Sequence, residues 1–193
     1  MNKAVKELQQ FLNKNGSKLV VDGDLGSETK KAITSLCIPV WLKNAMKYIG
    51  VHEIHGTQND VTVMKWHKLS GGFSNDEIAW CGSYVNGIMI ESGFKKTVSS
   101  PARALSWLEF GVSSKPVIGA IAVKSRIGGG HVGFLVATEG KYVYILGGNQ
   151  SDEVNIRRYL VSDFKDYRVP QGYQNCKYTT LMTINAETGG KEV

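Results

Sequence analysis

Several features that sort a chain quickly into a class are scarce here. Cysteine occurs three times, at Cys37, Cys81 and Cys176, widely spaced and with no CxxC pair. An odd, scattered set argues against a disulfide framework and against a structural zinc site. No apolar run approaches the roughly 18 residues of a membrane span, so no membrane insertion is expected. Met1 to Glu7 lack the apolar core of a secretory signal. The expectation is folding in a cytoplasm, with release by another agent if the protein acts outside. Acidic residues are outnumbered, 17 against 23 Lys and Arg, for a net charge of +6. The basic residues form no run and are little interleaved with aromatics, so no nucleic-acid partner is expected. The excess suits solubility or attraction to an anionic polymer such as cell wall. Internal repeats and low-complexity tracts are absent.

What remains is an ordinary globular composition: 193 residues, 42% of them hydrophobic. That is room for one domain of about 150 residues and a small extra module. Residues 1–38 read as a helical pair. Val5, Leu8, Phe11 and Leu12 recur at helical spacing until Asn15-Gly16. Val20-Val21-Asp22-Gly23-Asp24-Leu25-Gly26 reads as a turn, and a second helix starts at Ser27, with Thr29, Ile33 and Leu36 on it. Pro39 marks a boundary. Helices are then expected at Trp41–Ile49, Val61–Leu69, Cys81–Glu91 and from Ser100-Pro101 to Gly111. Strands follow at Val117–Val123, Val132–Thr138, Tyr142–Leu146, Val154–Leu160 and Tyr167–Val169. Tyr178–Ile184 could add an edge strand, and Glu187–Val193 reads as disordered. Helices first and strands second predict an α+β domain with helices packed on an antiparallel sheet.

Three stretches carry the chemistry. In Ala79-Trp80-Cys81-Gly82-Ser83-Tyr84-Val85-Asn86 the thiol starts a predicted helix. Unpaired N–H groups and the positive end of the helix dipole there favour a thiolate, and the same N–H groups suit an oxyanion. Gly82 leaves room beside the sulfur. Cys37 and Cys176 lack this setting and read as structural. In Gly130-His131-Val132-Gly133-Phe134 an imidazole opens a strand after a glycine run, which gives access to the ring. His52 and His55 form only an HxxH pair, which is weak support for a metal, and His67 is expected to pack. In Gly147-Gly148-Asn149-Gln150 the amide of Asn149 is a candidate to orient His131. A two-residue hairpin loop around Glu139-Gly140 would send Asn149 to the opposite face. A three-residue loop, or a bulge at Gly147-Gly148, would bring it to the face of His131. A plain turn is the alternative, and the orienting role is favoured because Gly-Gly is a natural bulge site. Cysteine nucleophile, histidine base and orienting amide form an acyl-transfer set, so the candidate catalytic residues are Cys81, His131 and Asn149.

Two resemblances sharpen this. The pattern Val5, Leu8-Gln9, Leu12, Gly16, Leu19, Val21-Asp22-Gly23, Leu25-Gly26, Thr29 and Ala32-Ile33 resembles the first two helices of a three-helix peptidoglycan-binding domain. A helical hairpin that merely packs on the main domain is the plainer alternative. Residues 39–170 resemble the CHAP and NlpC-type amidohydrolases, chiefly a phage-associated cell-wall hydrolase branch. The matching signatures are Trp80-Cys81-x-x-Tyr84-Val85-Asn86, Gly130-His131-Val132-Gly133-Phe134, Leu146-Gly147-Gly148-Asn149-Gln150-Ser151, Val51-x-Glu53-x-x-Gly56 and Asn59. Ala120 stands where relatives commonly carry Asp, and the acidic residue often found before the Asn is missing.

The resemblance implies a papain-like fold, no cofactor, and cleavage of a peptidoglycan amide; no metal-binding residues are expected. The bond is either that between muramic acid and L-alanine or one within the stem peptide. Trp80, Gly82, Asn59 and Gln150 are the candidate substrate-binding residues. The expected organisation is a truncated wall-binding module (1–38), a catalytic domain (39–170) and an extension (171–193), acting as a monomer on peptidoglycan. The alternatives are a non-catalytic wall-binding protein, a cysteine hydrolase of another amide, and a toxin delivered between cells.

Overall fold

The computed structural model describes residues 2–173. Five α-helices come first: α1 (Lys3–Lys14), α2 (Ser27–Ser35), α3 (Val40–Met46), α4 (Val61–Leu69) and α5 (Cys81–Glu91). Six strands follow: β1 (Val112–Ser114), β2 (Ile121–Arg126), β3 (Gly129–Glu139), β4 (Tyr142–Gly147), β5 (Asn155–Leu160) and β6 (Asp166–Val169). They form one antiparallel sheet in the order β1-β6-β2-β3-β4-β5. The fold class is α+β.

In α1 the apolar face expected from the spacing is buried: Val5, Leu8, Phe11 and Leu12. Asn2 caps the helix by accepting from Val5 N at 3.1 Å. Gln9 is buried too, and its amide is satisfied by the Asp-Gly loop. It donates to Asp22 Oδ1 at 2.7 Å and accepts from Gly23 N at 2.9 Å. One hydrophobic cluster runs from this helical pair through α3 to the sheet. The composition change at Pro39 is therefore not a break in the core.

Helix α5 is the centre of the molecule. Every residue from Cys81 to Met89 is buried, so the helix is covered on all sides. It lies on β3, with α3 and α4 beside it. Trp66 of α4 stacks on Trp80 and meets Tyr84 edge-on, at centroid distances of 5.9 and 5.0 Å. Such pairs add to the area each ring buries.

Several sequence expectations change. The helix expected from Ser100 is a 3-10 turn over Ala104–Glu109. The preceding carbonyls are used elsewhere: Pro101 O accepts from Trp107 Nε1 at 2.9 Å. A Cβ placed on Gly82 would lie 2.5 Å from Pro101 O and 2.4 Å from Ala102 O. The strand expected from Val117 begins at Ile121, because Val117–Ala120 is a turn whose Gly119 O accepts from Trp41 Nε1 at 2.8 Å. Strand β1 has no counterpart among the expected strands, and it pairs Val112 with Val169. The hairpin loop is Gly140-Lys141, closing at Glu139↔Tyr142, one residue later than the two-residue loop expected around Glu139-Gly140, and a bulge falls in β3 between Leu135 and Ala137 rather than at Gly147-Gly148. Tyr173 packs on Trp41, with centroids 5.0 Å apart, so the extension's first residues belong to the body of the fold. Cys176, Tyr178–Ile184 and Glu187–Val193 lie outside the described residues.

Candidate active site

Cys81 is the first residue of α5 and is 7% exposed. It lines a cavity of about 280 Å³ together with Ala79, Arg103, Leu105, Arg126 and Gly130. The cavity thus extends from Cys81 to the glycine before His131, with Arg103 and Arg126 among its lining. A somewhat larger cavity of about 330 Å³ lies away from the thiol, in the N-terminal helical pair, between Gln9, Leu19, Asp22, Asp24 and Thr29.

Helix and hairpin meet at the end of β4. A Cβ on Gly148 would lie 2.4 Å from Trp80 Cζ3 and 2.8 Å from Tyr84 Cβ. One on Gly147 would lie 2.9 Å from His131 Nε2. The Gly-Gly backbone is therefore wedged between the indole that precedes Cys81 and the imidazole of His131. No side chain fits at either position, which is the physical reason for the pair.

His131 is 2% exposed, and its Nε2 lies 3.1 Å from Gln150 Oε1. The amide that meets the imidazole here is that of Gln150, the residue after the candidate Asn149. After β4 the chain turns through left-handed backbone at Asn149, Ser151 and Asp152 (φ 56°, 56° and 61°). That turn folds Gln150 back beneath the sheet, where it is 1% exposed. The direction of its amide is fixed by its surroundings. Nε2 faces Asn155 O at 2.7 Å, Asn155 Oδ1 at 3.0 Å and Ile145 O at 3.3 Å. An oxygen in that place would meet only acceptors. Oε1 therefore points at the imidazole, and His131 Nε2 carries the proton and donates it. Tyr159 OH donates to the same Oε1 at 2.9 Å, and its ring stacks on His131 with centroids 6.2 Å apart. Lys124 covers that ring, its Nζ 4.9 Å from the centroid.

The other candidate residues serve this scaffold. Trp80 is fully buried and donates from Nε1 to Glu53 Oε2 at 3.1 Å, so it is a wall of the core rather than a surface for a ligand. Gly82 makes room for the Pro101 and Ala102 carbonyls, not for a substrate. Asn59 Oδ1 accepts from Asp76 N at 2.9 Å and holds a loop. Gln150 is too deeply buried to line the cavity and meets His131 instead. Cys37 is exposed, against the expectation of a structural role. His67 is fully buried, with Nδ1 3.1 Å from Ser83 Oγ, and burial lowers its pKa.

Tyr159 and Asn155 beside the imidazole were not singled out in the sequence, and Glu53 stood there only within a matching signature, with no role. Glu53 pairs its backbone N–H with Asp152 O at 3.0 Å, stitching the 50–53 segment to the Gln150 loop. Its carboxyl is held above its ordinary value, by burial first and by the neighbouring Asp152 carboxylate, against the indole N–H that lowers it. Among the described residues, Glu53, His55 and Asp152 bring ligand atoms within 4.8 Å of one another. Two carboxylates and an imidazole are a donor set that divalent cations accept.

No family model matches this chain, and no curated protein or solved structure matches it. Among the described residues no helix is long and apolar enough to cross a membrane.

Proposed function

We propose that this chain is a papain-like cysteine amidohydrolase that cuts an amide bond of peptidoglycan, an endolysin-type wall hydrolase. The observation that carries the reading is the contact between His131 Nε2 and Gln150 Oε1. With Nε2–H held by Gln150 Oε1, the lone pair of the imidazole is on Nδ1. Nδ1 takes the thiol proton as Cys81 Sγ attacks the amide carbonyl. The tetrahedral oxyanion forms at the N-terminus of α5, where backbone N–H groups and the helix dipole favour negative charge. His131 then gives its proton to the departing amine, leaving a thioester on Cys81. Water, deprotonated by Nδ1, hydrolyses that thioester and restores the thiol.

Arg103 and Arg126 beside the cavity suit a substrate that carries carboxylates, as peptidoglycan stem peptides do. The resemblance of residues 1–38 to wall-binding modules favours the wall over other amides. Both the muramoyl–alanine bond and a stem-peptide bond are compatible with this set of residues.

The test is digestion of purified peptidoglycan by wild type and Cys81→Ser, counting new amino groups and new reducing ends. New amino groups without reducing ends, abolished by the substitution, are the expected result. Mass spectra of the fragments then name the bond. New reducing ends, or activity that survives the substitution, would refute the mechanism. Binding without cleavage would favour the wall-binding alternative.

A further inference from the structure

The N-terminal helix reaches the Gln150 loop through an unbroken run of hydrogen bonds. Asn2 uses its two amide atoms for different tasks. Oδ1 caps α1 by accepting from Val5 N at 3.1 Å, and Nδ2 donates to Glu153 Oε1 at 3.0 Å. Glu153 Oε2 accepts from Asn155 Nδ2 at 3.3 Å. Asn155 grips Gln150 at both ends: Nδ2 donates to Gln150 O at 2.8 Å, and Oδ1 and O accept from Gln150 Nε2 at 3.0 and 2.7 Å. Gln150 Oε1 then holds His131. The same Nδ2 also faces Gly50, donating to its carbonyl at 3.5 Å, and a Cβ on Gly50 would lie 2.9 Å from it.

We infer that residues 1–38 act on catalysis itself, with Asn2, Glu153 and Asn155 as positioning residues that hold Gln150, and through it His131, in the productive orientation. This rests on the hydrolase reading above and adds to it. A module that only captured wall would change how tightly the enzyme holds its substrate. A module that braces the base changes how fast a bound substrate reacts. Asn2 and Glu153 are half-buried and Asn155 and Gln150 are buried, and a network that runs into the interior keeps its geometry best when every member is satisfied.

Asn2→Asp separates the cap from the brace. Aspartate caps a helix as well as asparagine, but it sets an oxygen against Glu153 where an N–H donor was. The double variant Asn2→Asp/Glu153→Gln reverses the polarity: the new amide at position 153 donates to the new carboxylate at position 2 and still accepts from Asn155.

Two readouts are needed. The first is kcat and KM on soluble peptidoglycan fragments. The second is the Nε2–H resonance of His131 in protein labelled with ¹⁵N-histidine, assigned with a His131→Gln variant. In Asn2→Asp, kcat should fall roughly tenfold with KM within about twofold, and the His131 resonance should shift or broaden; the double variant should recover both. Unchanged kcat and an unmoved resonance in Asn2→Asp would overturn the inference, as would a change in KM alone. A wild type that cleaves nothing, with the resonance still responding to Asn2, would sink the hydrolase reading and leave the brace standing. If Asn2→Asp does not fold by circular dichroism, Asn2→Ser keeps the cap, removes the N–H donor and decides the question by the same two readouts.

Discussion

Replacing Gln150 by alanine tests the site at its least expected member. The substitution removes the acceptor of His131 Nε2–H and Tyr159 OH, and the donor to Asn155 O and Oδ1. All three partners are buried. A buried polar group left without its partner costs about 1–3 kcal/mol. With partial relaxation, the expected stability loss is about 2–4 kcal/mol. The effect on rate is separable. A hydrogen bond to a group that becomes charged is worth about 1.5–3 kcal/mol, so losing it from the imidazole lowers kcat by roughly 10- to 150-fold.

The assay is release of amino groups from peptidoglycan, measured well below the Tm that thermal denaturation gives for each variant. Asn149→Gly is the control. It relieves a left-handed backbone (φ 56°) that glycine adopts freely, so it should leave kcat within about twofold and the Tm unchanged or slightly higher. Activity lost in Asn149→Gly and kept in Gln150→Ala would refute the assignment of the orienting amide.

Three further outcomes follow from the same geometry. Gly148→Ala drives a methyl group into Trp80 and the Tyr84 Cβ, which are fixed in the core, and should lower stability by about 2–4 kcal/mol in urea denaturation. Glu53→Gln keeps an acceptor for the Trp80 indole and removes the buried charge beside Asp152. A carboxyl whose folded-state pKa is raised binds protons more readily folded than unfolded. The stability it contributes is therefore greatest at low pH and falls as pH rises from its ordinary value near 4.5 through the raised one. Thermal denaturation of Glu53→Gln across this range should lack that part of the decline and give a Tm at pH 7 no lower than wild type. Tyr159→Phe removes one of two donors to Gln150 Oε1 but leaves the ring on His131, so kcat should fall less than about tenfold, against the larger loss in Gln150→Ala.

The sequence made some of this legible and hid the rest for identifiable reasons. The amphipathic spacing of α1 and the β-branched runs of β3 and β4 are local signals, and the elements stand where those signals put them. The cysteine at the start of α5 was equally readable. The helix expected from Ser100 failed because its local signal, a serine followed by proline, was overridden by packing: the Pro101 and Ala102 carbonyls are committed to α5 and Trp107. Whether Asn149 shares the face of His131 turns on where a bulge falls, and nothing local marks Gln150 as the residue that meets the imidazole. The bulge lies beside Val136, where no glycine marks it. Reversal of the chain by three left-handed residues without glycine among them was not visible either, since Asn, Ser and Asp adopt that backbone only when the surrounding contacts require it. Tyr159 and Asn155 come from a strand whose alternation showed burial but not which buried group would meet the imidazole.

The sheet order has a consequence for how copies of this protein treat one another. An open sheet ends in two strands with unused backbone donors and acceptors, and these invite pairing with a neighbour. Among the described residues one end of the sheet is β1, only three residues long. The other is β5, which carries Arg157 and Arg158 side by side, the second lying 4.7 Å over the Tyr142 ring. A short edge and a charged edge both discourage strand addition. The long, apolar strands β3 and β4 sit in the interior of the sheet, so the segments best able to nucleate aggregates are shielded while the fold is intact.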